Sequence, residues 1–280
     1  MSGEGEMKSK LKASVSYLCS VAMLVAGLVS MPTVMAADAA EFADDYVPTV
    51  LITGSNRGIG LEFAQQYAER GWTVIATARK PAQADALNAL ASKYDNFIVE
   101  QLDVTDFNRV DALAAKYAEM PIDLLLHNAG ISGGSDKQIF TKMEYDVFAK
   151  VLEVNTIAPL KISEAFYSHV KASRDKKIVT VSSSEGSING ASQPRLYFYR
   201  SSKAALNMVM VNLALQLKRK GISVGMVNPG MTDTDFMAGL PKKMLRPTAD
   251  AVTDMIRNID ALTIETTGSF YQYDGTIIPW

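Results

Sequence analysis

Val47-Pro48-Thr49-Val50-Leu51-Ile52-Thr53-Gly54-Ser55-Asn56-Arg57-Gly58-Ile59-Gly60 is the stretch whose reading decides the fold. Residues 47–53 form a continuous apolar run rich in β-branched side chains, which suits a buried strand. The run ends in a glycine turn, and an amphipathic helix over 58–70 follows, stopped by Gly71. Strand, glycine turn and helix in that order open a βαβ unit. Within the turn, Gly54 permits the sharp reversal, Gly58 lets backbone approach a pyrophosphate, and Gly60 allows helix to pack closely on strand. The helix N-terminus adds free N–H groups and a partial positive charge. Together with Ser55, Asn56, Arg57 and Ile59, these glycines are expected to cradle a dinucleotide. Glycines alone would fit any tight turn; the strand before them and the helix after them favour a cofactor loop.

The same alternation continues outward. Strands are expected at 73–78, 97–102, 122–127, 178–182, 222–227 and near 269–271. Between them lie helices at 81–93, from Thr105 or Asp106 onward, at 142–154, 158–172, 197–220 and 248–260. Counting the first, seven strands separated by helices predict a Rossmann-type α/β fold. Its doubly wound parallel sheet carries helices on both faces, joined by right-handed crossovers. No repeat, low-complexity tract or linker divides residues 47–280, so they are expected to form a single domain.

The end of the second strand selects the nicotinamide cofactor. A reader of NAD places a carboxylate there for the ribose 2′-hydroxyl. Thr77-Ala78-Arg79-Lys80 offers two bases and no acid. Arg79, joined by Arg57, can clamp a 2′-phosphate through charge-assisted hydrogen bonds, which points to NADP(H). Asp103, directly after the third strand, is placed to accept from an adenine amino group. Asn128-Ala129-Gly130 ends the fourth strand with small residues beside the adenosine ribose.

Tyr199 and Lys203 lie four residues apart at the start of the long helix and so share one of its faces. A free tyrosine, with a pKa of about 10, is a poor acid–base group near neutrality. A nearby ammonium would favour the phenolate and lower that value. Ser183, in the Ser182-Ser183-Ser184 run ending the fifth strand, can hydrogen-bond a substrate oxygen opposite the tyrosine, although the triplet leaves the register open by one residue. Asn155, between two helices, either caps a helix or holds a water that links Lys203 to solvent.

With these motifs in place, the chain resembles the short-chain dehydrogenase/reductase family from Val47 to Trp280. The resemblance rests on the 53–60 turn, Asn128-Ala129-Gly130, Asn155, Ser183, Tyr199, Lys203, and Asn228-Pro229-Gly230 with Thr234 beyond. It implies that Pro229, Gly230, Met231 and Thr234 contact the nicotinamide side, and that Asn155, Ser183, Tyr199 and Lys203 are catalytic. Spacing to Gly186 favours Ser183 within the serine triplet. The 16-residue separation of Ser183 and Tyr199 and the ending Tyr273-Asp274-Gly275-Thr276-Ile277-Ile278-Pro279-Trp280 are similar to the branch of sniffer-like carbonyl reductases and C-factor-like proteins. That branch implies an NADP(H)-dependent oxidoreductase that moves a hydride between the nicotinamide and a small carbonyl or secondary alcohol, with carbonyl reduction as the expected direction. The alternative it leaves is a nucleotide-binding signalling protein with little turnover. His127 stands where the family often has asparagine and is read as a strand-end residue. Phe198, Met231, Phe236 and Met237 suggest an apolar substrate lining. In relatives the helices at 158–172 and 197–220 pair across a two-fold axis, and here Ala204, Ala205, Met208, Val211, Leu215 and Leu217 either bury an excess apolar face in a homodimer or pack only on their own sheet.

Composition narrows the remaining classes. The chain has 280 residues, 28 basic against 30 acidic, and no basic block, so a nucleic-acid partner is not expected. One cysteine, Cys19, and two histidines, His127 and His169, make a metal site improbable. Residues 1–36 read as a leader. Lys8, Lys10 and Lys12 precede an uncharged stretch over 13–37, and Val34-Met35-Ala36 offers a signal-peptidase site. Cleavage after Ala36 would leave a short polar lead-in over 37–46. The uncharged stretch is also long enough for an uncleaved membrane anchor, the one membrane contact foreseen, and a later start is a third reading. Under either of the first two readings the charge pattern exports the domain; under the third it stays in the cytoplasm.

Overall fold

The computed structural model describes residues 42–43 and 45–280, so the expected leader and most of the lead-in lie outside the described residues. Residues Phe42–Trp280 make one compact unit, and none of its described helices is long and apolar enough to cross a membrane. The strands are β1 (Thr49–Ile52), β2 (Thr73–Ala78), β3 (Phe97–Gln101), β4 (Leu124–His127), β5 (Lys177–Val181), β6 (Ser223–Asn228) and β7 (Phe270–Gln272). The helices are α1 (Gly58–Glu69), α2 (Asp85–Lys93), α3 (Phe107–Lys116), α4 (Tyr145–Leu152), α5 (Ala158–Ala165), α6 (Tyr167–Ala172), α7 (Tyr197–Leu217) and α8 (Thr248–Asp260).

All seven strands run parallel in the order β3-β2-β1-β4-β5-β6-β7, the Rossmann arrangement expected from the sequence. Alternation along each strand divides the core. Leu51, Ile75, Leu125, Ile178 and Val224 face α3, α5, α6 and α7; Val50, Ile52, Val74, Leu126 and Val179 face α1, α2 and α8. Both faces are covered, which is why the strands read as continuous apolar runs. The order reverses at β1 and β4, so the turns leaving these two strands border one crevice at the carboxyl edge of the sheet.

Local chemistry moved some boundaries. Pro81–Gln83 forms a separate 3-10 turn, and α2 starts only at Asp85. The expected helix over 142–154 starts at Tyr145 and ends in a π-helical segment, Glu153–Ile157, which holds Asn155. The helix over 158–172 breaks at Phe166. Asp106 caps α3, its carboxylate accepting from the Arg109 amide at 3.0 Å.

Candidate active site

The glycine turn takes the shape its residues call for. Gly54 and Gly58 have φ of +70° and +54°, where a side chain would be strained. At Gly60 the constraint is space: a Cβ would overlap the Gly54 carbonyl and the Asn128 amide. Thr53, to which the sequence reading gave no contact of its own, organises this packing. Its hydroxyl accepts from the Asn128 and Ala129 amides at 3.0 and 3.1 Å. The Asn128 side chain donates to the carbonyls of Thr53 and Gly54 at 3.0 and 2.9 Å, so it braces the turn. Ser55 also points inward, donating to the Ile52 carbonyl at 3.0 Å. Ile59 packs partly against the core, while Asn56 and Arg57 are exposed. Arg57 lends no side-chain cap to α1, whose first N–H groups therefore face the crevice without one.

Arg79 lies exposed at the end of β2. Arg57 pairs with Asp235 at 2.8 Å, linking the glycine turn to the segment after β6. Asp103 accepts from the Thr105 amide and hydroxyl at 3.0 and 2.9 Å through a single oxygen, Oδ1. Burial works against its charge, but these bonds, with Lys150 and Arg79 nearby, hold the carboxyl below its ordinary range.

Ser183, Tyr199 and Lys203 converge where β5 meets α7. Ser182 is buried and donates to Asn207 at 2.6 Å, and Ser184 is exposed, which leaves Ser183 as the serine beside the phenol. Gly186 packs so closely on α7 that a Cβ would meet Lys203 at 2.9 Å. The Lys203 ammonium donates to the Val181 carbonyl at 2.8 Å and lies 5.8 Å from the centroid of the Tyr199 ring. The sequence suggested that this ammonium lowers the tyrosine pKa. Instead burial pushes the phenol up to about 12, with Ser183 pulling it partly back and Glu185 adding to the rise. Burial also brings Lys203 down to about 8. The ammonium is held by a backbone carbonyl with the phenol ring beside it, and burial outweighs any pull it exerts on the phenol.

Asn155 is buried with its amide fully used. Oδ1 accepts from the Ile131 amide at 2.9 Å, and Nδ2 donates to the Ile131 carbonyl and the Ser202 hydroxyl, both at 2.9 Å. Its side chain thus fixes the π-segment against the loop after β4 and against α7. Gly130 lies between Asn155 and Lys203, with the Asn155 Oδ1 3.4 Å and the Lys203 Nζ 3.8 Å from where its Cβ would stand. His127 is buried, and burial drives its pKa down to about 3, so it is neutral. Ser163 donates its own hydrogen to Pro159 and is left to accept from His127 Nε2 at 2.9 Å.

Beyond β6, Gly230 has φ of +72°, and a side chain there would press on Tyr273. Arg246 holds this turn: it donates to the Pro229 carbonyl at 3.2 Å, pairs with Asp254 and stacks 3.9 Å above the Tyr273 ring. Sequence reading missed it, because an arginine in a loop carries no motif. Thr234 lies over Gly58, its methyl 3.4 Å from where a Cβ would stand. Met231 and Phe236 are exposed, and Phe236 packs 5.3 Å from Tyr199, centroid to centroid. Phe198 is no lining residue: it is fully buried and stacked on Phe148 at 4.8 Å, because its position on α7 faces the core. Among the described residues no cluster of three or more His, Cys, Asp or Glu is placed to hold a metal.

Comparison with known proteins agrees with this geometry. The chain is 34% identical over 236 residues to 1-hydroxy-2-glutathionyl-2-methyl-3-butene dehydrogenase of Rhodococcus sp. strain AD45, covering 83% of this chain and 99% of that protein. It is 32% identical over 169 residues to the C-signal protein of Myxococcus xanthus, covering 60% and 99%. Among solved structures, NADPH-bound carbonyl reductase from chicken fatty liver superposes with a TM-score of 0.78 at 31% identity, over 84% of this chain and 99% of that one. Carbonyl reductase Sniffer of D. melanogaster gives 0.76 at 26% identity, over 84% and 100%. The family model described as short chain dehydrogenase matches residues 48–245, and the chain belongs to that family, near its sniffer-like and C-signal members.

Proposed function

We propose that this chain is an NADP(H)-dependent carbonyl reductase in which Tyr199 is the proton donor. The observation that carries the reading is the burial of the Tyr199 phenol beside Ser183 and Lys203, at the edge where the glycine turn also lies. The residues present fit the cofactor. The Gly54–Gly58–Gly60 cradle would be filled by any Cβ, α1 presents uncapped N–H groups, and Arg79 and Arg57 supply positive charge where a 2′-phosphate would lie. Asp103 uses only Oδ1 within the chain, so Oδ2 would be left to accept from an adenine amino group, and Asn128, Ala129, Gly130, Pro229, Gly230, Met231 and Thr234 would hold the rest of the cofactor. The NADPH-bound relative supports the same choice.

When bound, NADPH supplies the hydride. Tyr199 then gives its proton to the substrate oxygen, while Ser183 hydrogen-bonds that oxygen and stabilises its developing charge. A phenol held at about 12 is fully protonated at neutral pH, the form that reduction requires. Lys203 restores the proton and bears positive charge below about 8. Asn155 fixes the π-segment that walls this relay. The exposed Phe236 beside Tyr199, with Met231 exposed on the same segment after β6, favours a substrate with an apolar body. Steady-state NADPH oxidation across a carbonyl panel tests the proposal. Turnover is expected, and tight NADPH binding with none on any aldehyde or ketone would favour the signalling alternative.

A further inference from the structure

The chain does not stop at β7 but folds back on it. Ile278 donates to the Phe270 carbonyl at 2.8 Å, Tyr271 and Ile277 form an antiparallel bridge, and Trp280 stacks on Phe270 at 5.8 Å. This return brings two carbonyls against the loop that follows Ser183. The Trp280 carbonyl accepts from the Asn189 amide at 2.8 Å, and the Pro279 carbonyl accepts from the Ser187 hydroxyl at 2.5 Å. The same hydroxyl accepts from the Gly190 amide at 3.1 Å, closing a small ring around Ile188. Ile188 is 76% exposed, so the loop buries little apolar surface of its own. Further along, Glu185 pairs with Arg195 and Arg200, and Arg200 donates to the Gln193 carbonyl at 2.7 Å. At its other end the returning segment places Tyr273 under Gly230 and Arg246. One strap therefore touches both loops that flank the phenol.

We propose that residues 273–280 are a positioning element of the substrate site, which fixes loop 187–190 and so sets how the site discriminates between large and small carbonyl substrates. The inference rests on the carbonyl-reductase reading above. A strap needed only to cover the core would be satisfied by Ile278 and by Trp280 on Phe270. The two polar bonds reach past the core to a loop whose tip is exposed, and Pro279 and Ser187 are joined across 92 positions of sequence. Losing such a bond leaves loop 187–190 with few contacts of its own, the condition for local opening.

Two variants test this and leave Ile278 in place: Ser187→Ala, which removes the Pro279 bond together with the Gly190 bond to the same hydroxyl, and removal of residues 279–280, which removes both strap bonds and also takes the Trp280 ring from Phe270. Each is compared with the parent in three measurements: amide exchange at Asn189 and Gly190, NADPH affinity by fluorescence titration, and KM for a bulky aryl ketone against a small aliphatic aldehyde. The amide that keeps its own acceptor, Asn189 in Ser187→Ala and Gly190 in the truncated chain, is expected to exchange about fivefold to tenfold faster, the factor a single net hydrogen bond supplies. NADPH affinity should stay within about twofold, which also shows that the variants are folded. The ratio of the two KM values should shift by about fivefold with kcat little changed. Parent-like exchange in both variants overturns the proposal, and so does an unchanged KM ratio in a chain that turns carbonyls over. If the parent reduces no carbonyl, the functional reading fails by itself, and the exchange rates alone then decide whether the strap holds the loop.

Discussion

Lys203 lies 5.8 Å from the centroid of the Tyr199 ring while its ammonium is held by the Val181 carbonyl at 2.8 Å. Both groups are buried, and burial moves them in opposite senses, the phenol up to about 12 and the ammonium down to about 8. As pH rises, Lys203 therefore loses its proton well before Tyr199 does. The carbonyl-reducing kcat/KM should be level in the neutral range and fall as pH rises through about 8, because the charged lysine supports proton return to the phenol. A pH profile with saturating NADPH checks this, and a profile level to about pH 10 would remove Lys203 from the relay.

Arg79 should govern the cofactor. Arg57 already shares its guanidinium with Asp235 at 2.8 Å, whereas Arg79 makes no ion pair among the described residues. Arg79→Asp puts a carboxylate where a ribose 2′-hydroxyl would donate and repels a 2′-phosphate. The ratio of kcat/KM for NADPH over NADH should fall by about 100-fold, the worth of one or two charge-assisted hydrogen bonds. An unchanged ratio would make Arg79 an ordinary surface residue.

Gly60→Ala should damage the crevice without touching a charged group. Its new methyl would collide with the Gly54 carbonyl and the Asn128 amide. Overpacking of this kind costs about 1–3 kcal/mol, and the turn must shift to relieve it. Urea unfolding should register that loss, and NADPH affinity should drop at least tenfold; parent-like values for both would mean that the turn is more pliant than its packing indicates.

How much of this was legible in the sequence follows from which signals are local. Residues 53–60 announced their turn because only glycine tolerates φ near +70° at Gly54 or the contact at Gly60. The strands were legible because a sheet covered on both faces leaves few polar positions, most of them near the strand ends. Asn155 was found, but its π-helical setting was not, since the segment Glu153–Ile157 is too short to establish a period of its own. The inward roles of Ser55 and Asn128, and the part played by Thr53, depend on which way a side chain turns at a strand end. Arg246 and the Ser187–Pro279 bond were invisible for a further reason: their partners are far away in sequence. The tyrosine pKa was expected to fall because the sequence placed a lysine nearby without showing that its ammonium faces Val181.

The face shared by α5 and α7 should carry a homodimer. Ile157 and Leu160, at the start of α5, and Met208 and Leu215 on α7 are exposed, each between 43% and 70%. Leu217 is core, and Val211 is partly packed, so neither belongs to that face. Light scattering on residues 42–280 should give twice the subunit mass at tens of micromolar, and Met208→Glu with Leu215→Glu should return it to one. A single subunit mass for the parent would refute the dimer.

The central claim, that Tyr199 donates the proton in an NADPH-dependent carbonyl reduction, is tested most directly by Tyr199→Phe. That change removes one oxygen and leaves the ring packed on Phe236. Measured beside the parent on the best substrate of a carbonyl panel, kcat should fall by at least about 100-fold to 10,000-fold, the range for a positioned acid, with NADPH binding unchanged. A variant that keeps substantial turnover would contradict the assignment.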